Sequence, residues 1–217
     1  MKRISLIGGL LLAVCGGPAL AEPSSRVAWT PENLARVKSG DAAKGKAIAE
    51  SCASCHSPGA PAAQSQFPHV QGQLPTYLYK QLRDYKDGTR SHAVMTGIAG
   101  GLSDRDMVDV AAFYGQQAPA AGDQSVASEN AVDLVTKGDG KRILPPCQSC
   151  HGSDGRGQRL DVPALAGQNA AYTEQTLLDY KSGARKNDLY GRMRTLTQQL
   201  SDEEIRQLAR YYAGLGR

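Results

Sequence analysis

The sequence predicts an all-α protein made of two tandem copies of one helical domain. The first observation is an internal repeat, because displacing the 217-residue chain by 95 residues superposes Cys52, Cys55 and His56 on Cys147, Cys150 and His151. The second is a set of helix-capping signals followed by apolar residues at amphipathic spacing. The third is the lack of any alternating strand pattern of useful length. Together they favour two similar helical domains over one mixed fold.

The repeat covers most of the chain. It holds an offset of 95 residues as far as Arg90 and Arg185, and a three-residue insertion in the second copy then shifts the offset to 98. Matched pairs include Pro68 and Pro163, Gln73 and Gln168, Tyr77 and Tyr172, Met95 and Met193, and Tyr114 and Tyr212. A stretch rich in Ala, Gln, Ser, Gly and Pro separates the copies and is typical of a linker. We therefore expect a first domain at residues 22–117, a linker at 118–127 and a second domain at 128–217.

Residues 1–21 have the pattern of a secretory signal peptide. A positive start at Lys2 and Arg3 precedes an apolar run from Ile4 to Val14, which is short for a bilayer span. Small residues at Ala19 and Ala21 predict cleavage after Ala21. An uncleaved anchor and a lipoprotein modified at Cys15 are the less favoured alternatives. Removing Lys2 and Arg3 lowers the formal charge from +4 to +2, so no nucleic-acid partner is predicted.

Local signals predict the helices of each copy in order. Thr30 before Pro31 suits a helix start, and residues 41–51 suit a helix that leads into the first cysteine pair. A middle helix is predicted near residues 74–86 and again near 171–181. The last helix of each copy begins with a capping box, formed by Ser103 with Asp106 and by Ser201 with Glu204. Pro145 and Pro146 directly precede Cys147 and must shorten the corresponding helix of the second copy.

Each copy carries a C-x-x-C-H motif, which is the attachment pattern of a c-type haem. Two thiols three positions apart on one helical turn can each add to a haem vinyl group, and the adjoining histidine then lies under the iron. A thioredoxin-like dithiol would need a β-α-β context, which is missing, and it does not require the following histidine. A zinc site would take four ligands from paired motifs, but here the pairs lie 95 residues apart. The sequence therefore predicts two covalently bound haem c groups, attached through Cys52, Cys55, Cys147 and Cys150.

Each predicted haem iron needs two axial ligands. His56 and His151 are the proximal candidates, and Met95 and Met193 are the distal ones because they hold the same register about 40 residues beyond each motif. Met107 matches Ile205 and is predicted to pack in the core. His69 and His92 are predicted to be exposed loop residues, although His92 could compete with Met95 for the first iron.

Pro68 and Pro163 each follow their histidine by 12 residues. Their carbonyl groups could accept the Nδ1 proton of His56 and His151 and so fix the orientation of each imidazole. Simple turn prolines are the equally weighted alternative.

The chain resembles the dihaem cytochromes c4. The resemblance rests on the paired motifs, on P-x-x-x-G-Q at 68–73 and 163–168, on D-Y-K-x-G-x-R at 84–90 and 179–185, and on M-x6-L-S-D from Met95 and Met193. It implies two cytochrome c-like domains, each wrapped around its haem, with His/Met ligation and haem propionate edges that face each other. The chain departs from the family at residues 57–60, where Ser-Pro-Gly-Ala replaces the glycine-rich turn found at 152–155.

The resemblance also implies an activity and a location. The expected function is a periplasmic electron carrier that takes electrons from redox protein donors and passes them toward a terminal oxidase or another respiratory acceptor, with peripheral membrane association left open. Two alternatives remain. One is a dihaem enzyme of the peroxidase or thiosulfate-oxidising type, and the other is a cytochrome subunit of a dehydrogenase.

Overall fold

The computed structural model describes residues 24–57, 67–158 and 160–215. Within these ranges the chain forms ten α-helices, two short 3-10 segments and only isolated β-bridges, so the all-α prediction is confirmed. The predicted signal peptide lies outside the described residues, as does part of the turn after His56. No helix in the described ranges is long and apolar enough to cross a membrane.

The first domain contains five helices, whose starts follow the predicted caps. They are α1 (Pro31–Lys38), α2 (Ala42–His56), α3 (Pro75–Lys86), α4 (Met95–Gly101) and α5 (Asp104–Gly115). The Thr30 hydroxyl accepts a hydrogen bond from the Asn33 amide, and the Asp41 carboxylate accepts bonds from the first amides of α2. These side chains satisfy amides that have no partner inside their own helices.

The second domain repeats this order with a much shorter helix at the C-x-x-C-H motif. Its helices are α6 (Glu129–Thr136), α7 (Gln148–His151), α8 (Ala170–Ser182), α9 (Arg192–Thr197) and α10 (Asp202–Gly214). Pro145 and Pro146 lie between α6 and α7. Helix α7 is only four residues long, as expected from the two prolines that precede it. The 3-10 segments lie at Gly140–Arg142 and Leu189–Gly191.

The last helix of each domain forms the centre of its core. Both predicted capping boxes are present, with reciprocal hydrogen bonds between Ser103 and Asp106 and between Ser201 and Glu204. Met107 and Ile205 occupy matching positions and are both fully buried, which confirms the packing role predicted for Met107. Helix α5 packs on α2 and α3, and α10 packs on α6 and α8. The first C-x-x-C-H helix, α2, is therefore held against one of the most buried helices of the fold.

The crossing of α2 and α5 depends on one glycine. A Cβ atom added at Gly45 would overlap the main-chain carbonyl of Asp109, so no larger residue fits without moving a helix. The Asp109 side chain also accepts a hydrogen bond from the Asp41 amide at 2.7 Å. This contact sets how α2, and with it the first cysteine pair, lies on the core.

The two domains meet through hydrogen bonds that obey an approximate two-fold symmetry. The Gln73 side chain both donates to and accepts from the main chain of Ala164, at 2.9 Å each. The Gln168 side chain makes the same two bonds to the main chain of His69, at 2.8 and 2.9 Å. His69 is therefore half-buried at the interface, unlike the exposed loop residue that was predicted, whereas His92 is exposed as predicted.

Candidate haem sites

A cavity of about 1320 Å³ extends through both domains. It is larger than the roughly 300–1,000 Å³ of an ordinary small-molecule pocket. Its walls carry seven of the eight predicted attachment and axial residues: Cys52, His56, Met95, Cys147, Cys150, His151 and Met193. Cys55 is the eighth and is half-buried on the last turn of α2. Apolar side chains such as Leu78 and Leu82 line the first domain's part.

The two motif histidines have the same environment. His56 ends α2 and His151 ends α7, and both are buried. The Nδ1 atom of His56 lies 2.8 Å from the Pro68 carbonyl oxygen, and that of His151 lies 3.0 Å from the Pro163 carbonyl oxygen. Since a carbonyl can only accept a hydrogen bond, Nδ1 carries the proton in both rings. The lone pair of Nε2 is then available to a metal.

Burial keeps both imidazoles neutral. It lowers the pKa of His56 and of His151 below the usual value, and the bonds to Pro68 and Pro163 offset this only in part. A neutral imidazole is the form that binds iron, so both rings are in the state a haem requires.

Neither Cys52 nor Cys147 is an activated thiolate. All four motif cysteines are free of disulfides in the structure. Burial raises the pKa of Cys52 and raises that of Cys147 to about 11. A dithiol oxidoreductase needs the opposite shift, because its attacking thiol must ionise near neutral pH. Among the described residues, no three or more His, Cys, Asp or Glu side chains are grouped so that they could hold a metal ion.

The two methionines lie at the start of corresponding helices. Met95 is the first residue of α4 and Met193 the second of α9, and both are half-buried on the cavity wall. His92 stabilises the first turn of α4. Its Nδ1 atom accepts hydrogen bonds from the amides of Val94 and Met95 at 3.2 and 3.3 Å, and so caps α4.

Unpaired polar groups on the cavity wall fit the carboxylates of a haem. Within the described residues, three buried side-chain polar atoms have no hydrogen-bond partner, namely Trp29 Nε1, Arg185 Nη1 and the Tyr212 hydroxyl. All three residues line the cavity. Trp29 and Arg185 can only donate, so their natural partners are acceptors, which the haem propionates would supply.

Two arginines at matching positions face the cavity without a carboxylate partner among the described residues. Arg90 and Arg185 each stack on a tyrosine ring of their own domain at 4.6 Å, and each donates to a tyrosine hydroxyl of the other domain. Buried cations normally need anions. These residues therefore fit the propionates of two haems at the domain interface. Sequence analysis identified Arg90 and Arg185 only as matched positions, because the tyrosine hydroxyl that each one binds lies in the opposite domain.

Comparisons with known proteins agree with this geometry. Residues 42–116 and 138–215 each match the family described as Cytochrome c. Cytochrome c4 of Thiocapsa roseopersicina is 38% identical over 81% of this chain and 93% of its own length. The chain belongs to the cytochrome c4 family. It thus has two cytochrome c domains, each with a covalently bound haem c, and it is an electron carrier.

Two further relatives of this cytochrome c4 bear on its role. The crystal structure of reduced cytochrome c4 from Pseudomonas stutzeri has a TM-score of 0.75 and 35% identity, and the match covers 81% of this chain and 99% of that one. A protein of Stutzerimonas stutzeri named thiosulfate dehydrogenase electron acceptor is 37% identical over 77% of this chain and 80% of its own length. The name of this second relative describes it as the electron acceptor of a thiosulfate dehydrogenase.

Proposed function

We propose that this cytochrome is a periplasmic dihaem electron carrier with His/Met ligation at both irons. His56 and Met95 would bind the first iron, and His151 and Met193 the second, with thioether links from Cys52, Cys55, Cys147 and Cys150. The observation that carries the proposal is the shared geometry of the two copies. In each, a neutral histidine held by a proline carbonyl and a methionine at a helix start line one cavity.

This ligand set favours electron transfer over catalysis. When bound, the haem supplies a one-electron redox centre, and a methionine ligand raises its potential. The imidazoles oriented by Pro68 and Pro163 and the thioethers carried by α4 and α9 would together supply two protein ligands to each iron. No position then remains for a substrate, which argues against a peroxidase or a thiosulfate-oxidising enzyme.

For partners, we propose respiratory redox proteins, with a terminal oxidase or another respiratory acceptor downstream. A second candidate is the electron-accepting subunit of a dehydrogenase, which is favoured by the relative named thiosulfate dehydrogenase electron acceptor. Purification from native extract distinguishes them, since a subunit would co-elute with its dehydrogenase and a free carrier would not.

We also propose export by residues 1–21, with cleavage after Ala21, and the division into domains at 22–117 and 128–217. The intact mass of the mature protein tests the cleavage site and the haem count together. A mass that retains residues 1–21, or that equals the bare polypeptide, would contradict the proposal.

Methionine variants test the ligation. Met95→Ala and Met193→Ala should each remove part of the weak long-wavelength band that Met–Fe(III) bonding gives in the oxidised protein, and the double variant should lose it entirely. Met107→Leu is the matched control, because Met107 is buried in the core and the swap nearly conserves volume. An unchanged band in Met95→Ala, or peroxide turnover by a wild-type protein with a high-spin haem, would overturn the assignment.

A further inference from the structure

The domain interface contains one buried ionic cluster that breaks its two-fold symmetry. Lys80 of α3 is completely buried. Its ammonium group lies 2.8 Å from the Asp84 carboxylate, 3.3 Å from the Asp161 carboxylate and 2.6 Å from the main-chain carbonyl oxygen of Asn187. Asp161 and Asn187 belong to the second domain. Two of the three acceptors of this first-domain cation are therefore supplied across the interface.

Asn187 completes the cluster from the second domain. Its side chain is also buried, and its amide donates to Asp84 at 2.7 Å and to Gln81 at 2.8 Å. Its side-chain oxygen accepts from Arg185 Nε at 2.9 Å. Asn187 thus joins the two charged groups of α3 to one of the arginines that line the haem cavity.

The second copy has no equivalent of this cluster on its own helix α8. The residue that matches Lys80 is Gln175, which is exposed and bonds to Asp179 of its own helix. Asn187 lies in the stretch between Arg185 and Met193 where the second copy is three residues longer than the first. The corresponding first-copy residues 91–94 are all exposed. The contact between Lys80 and Asn187 therefore depends on a lysine that only the first copy has and on a longer segment that only the second copy has.

We propose that Lys80 and Asn187 form a one-sided latch that sets the relative orientation of the two domains and, through it, the rate of electron exchange between the two haems. Domains of one chain move against each other unless their interface is large and apolar, and the contacts between these domains are largely polar. Buried ion pairs often add no net stability over well-packed apolar residues, and in some proteins they instead select one arrangement of the chain. Lys80 acts here as a positioning residue. The inference rests on the proposed function, because it requires two redox-active haems.

The latch is tested in the intact dihaem protein with two variants and a matched control. Lys80→Gln introduces the residue found at the same position of the second copy. Asn187→Ala removes the side-chain bonds to Asp84, Gln81 and Arg185 without changing charge, and it keeps the main-chain carbonyl that binds Lys80. Gln175→Ala is the control at the matching exposed site. Electron exchange is measured from the broadening of haem methyl NMR signals in half-reduced protein, and domain orientation from residual dipolar couplings.

Both variants should slow electron exchange by about tenfold or more, as expected when the geometry of reacting groups is disturbed. Their dipolar couplings should require separate alignment frames for the two domains, while Gln175→Ala behaves as wild type. If the variants lower the melting temperature but leave the rate of electron exchange unchanged, the proposal is wrong and the cluster is only a stabilising contact. If Lys80→Gln does not fold, Asn187→Ala decides alone. Haem content and the Met–Fe(III) band are checked in the same wild-type samples, since their absence would refute the proposed function instead.

Discussion

Gln73 and Gln168 occupy the same position in the two domains, and each binds the main chain of the opposite domain through a donor and an acceptor bond. The four distances are 2.8–2.9 Å, and both side chains are buried. His69 and Ala164 are themselves half-buried at this interface. The glutamines therefore supply protein partners to main-chain groups that are partly shielded from water.

We predict that Gln73→Ala and Gln168→Ala will each lower the free energy of unfolding by about 1–3 kcal/mol, because each removes two hydrogen bonds to partly shielded main-chain groups. Denaturant unfolding of the dihaem protein measures the loss. Gln175→Ala, at an exposed position of α8, should change stability by less than about 0.5 kcal/mol. Equal effects at Gln73 and Gln175 would show that the interface bonds contribute nothing specific.

A second prediction concerns pH and the capping box of α10. Arg142 binds both oxygens of Glu204 at 2.9 and 3.0 Å, and this hydrogen bonding lowers the pKa of Glu204 although burial opposes it. A carboxylate with a lowered folded pKa stabilises the protein above its ordinary pKa of 4.5 and loses that contribution as the pH falls through the folded value. Glu204→Gln should therefore cost about 1–2 kcal/mol near neutral pH and less near about pH 3.

The first copy provides the comparison for this experiment. Asp106 occupies the matching position of α5, where Ser103 is its hydrogen-bond partner and no arginine forms an ion pair with it in the described chain. Asp106→Asn should therefore cost only about 0.5 kcal/mol. Unfolding free energies of both variants, measured across this pH range, would contradict the prediction if the two profiles coincided.

Alanine substitutions at two glycines should change the free energy of unfolding in opposite directions. Gly45→Ala should lower the free energy of unfolding by about 1–3 kcal/mol, because the new methyl group would overlap the Asp109 carbonyl. Gly97→Ala, in α4, has open space around the new Cβ and should stabilise by up to about 1 kcal/mol through helix propensity. Thermal unfolding of the two variants tests the pair, and a gain in stability for Gly45→Ala would show that α2 and α5 can separate.

Removal of the haems should largely unfold the chain. A variant with Cys52, Cys55, Cys147 and Cys150 all changed to serine would leave a cavity of about 1320 Å³ to be filled by water or closed by collapse. Large empty cavities are strongly destabilising, and each domain's core is small. Far-UV circular dichroism should show much less helix than in the dihaem protein. Helix content equal to that of the dihaem protein would disprove the expectation.

The order of the helices was predictable because its signals are local. The Ser103 and Ser201 capping boxes, the Thr30 and Asp41 caps and the breaks at Pro145 and Pro146 each act within a few residues of where they occur. Spacing within each copy also placed His56 near Pro68 and His151 near Pro163, although it left turn prolines as an equal alternative. The boundaries of the domains and of the signal peptide stay predictions.

The domain interface could not be predicted in the same way. Gln73, Arg90 and Lys80 bind groups more than 80 positions away in the chain, and nothing in their local sequence identifies those partners. The repeat showed that Gln73 and Gln168 match, but a match between copies does not say that the copies touch. His69 was misjudged for this reason, since its burial depends on Gln168.

The exchanged bonds of Gln73 and Gln168 are those that two identical molecules would form about a dyad. In this protein both partners are on one polypeptide, so their association does not depend on dilution, and a short linker provides a local concentration in the millimolar range. Because the two domains are linked, neither one has to keep an interface surface that is complementary to a copy of itself. One copy can acquire a lysine and the other an extra loop residue to receive it, which a symmetric dimer of identical chains could not do on one side alone.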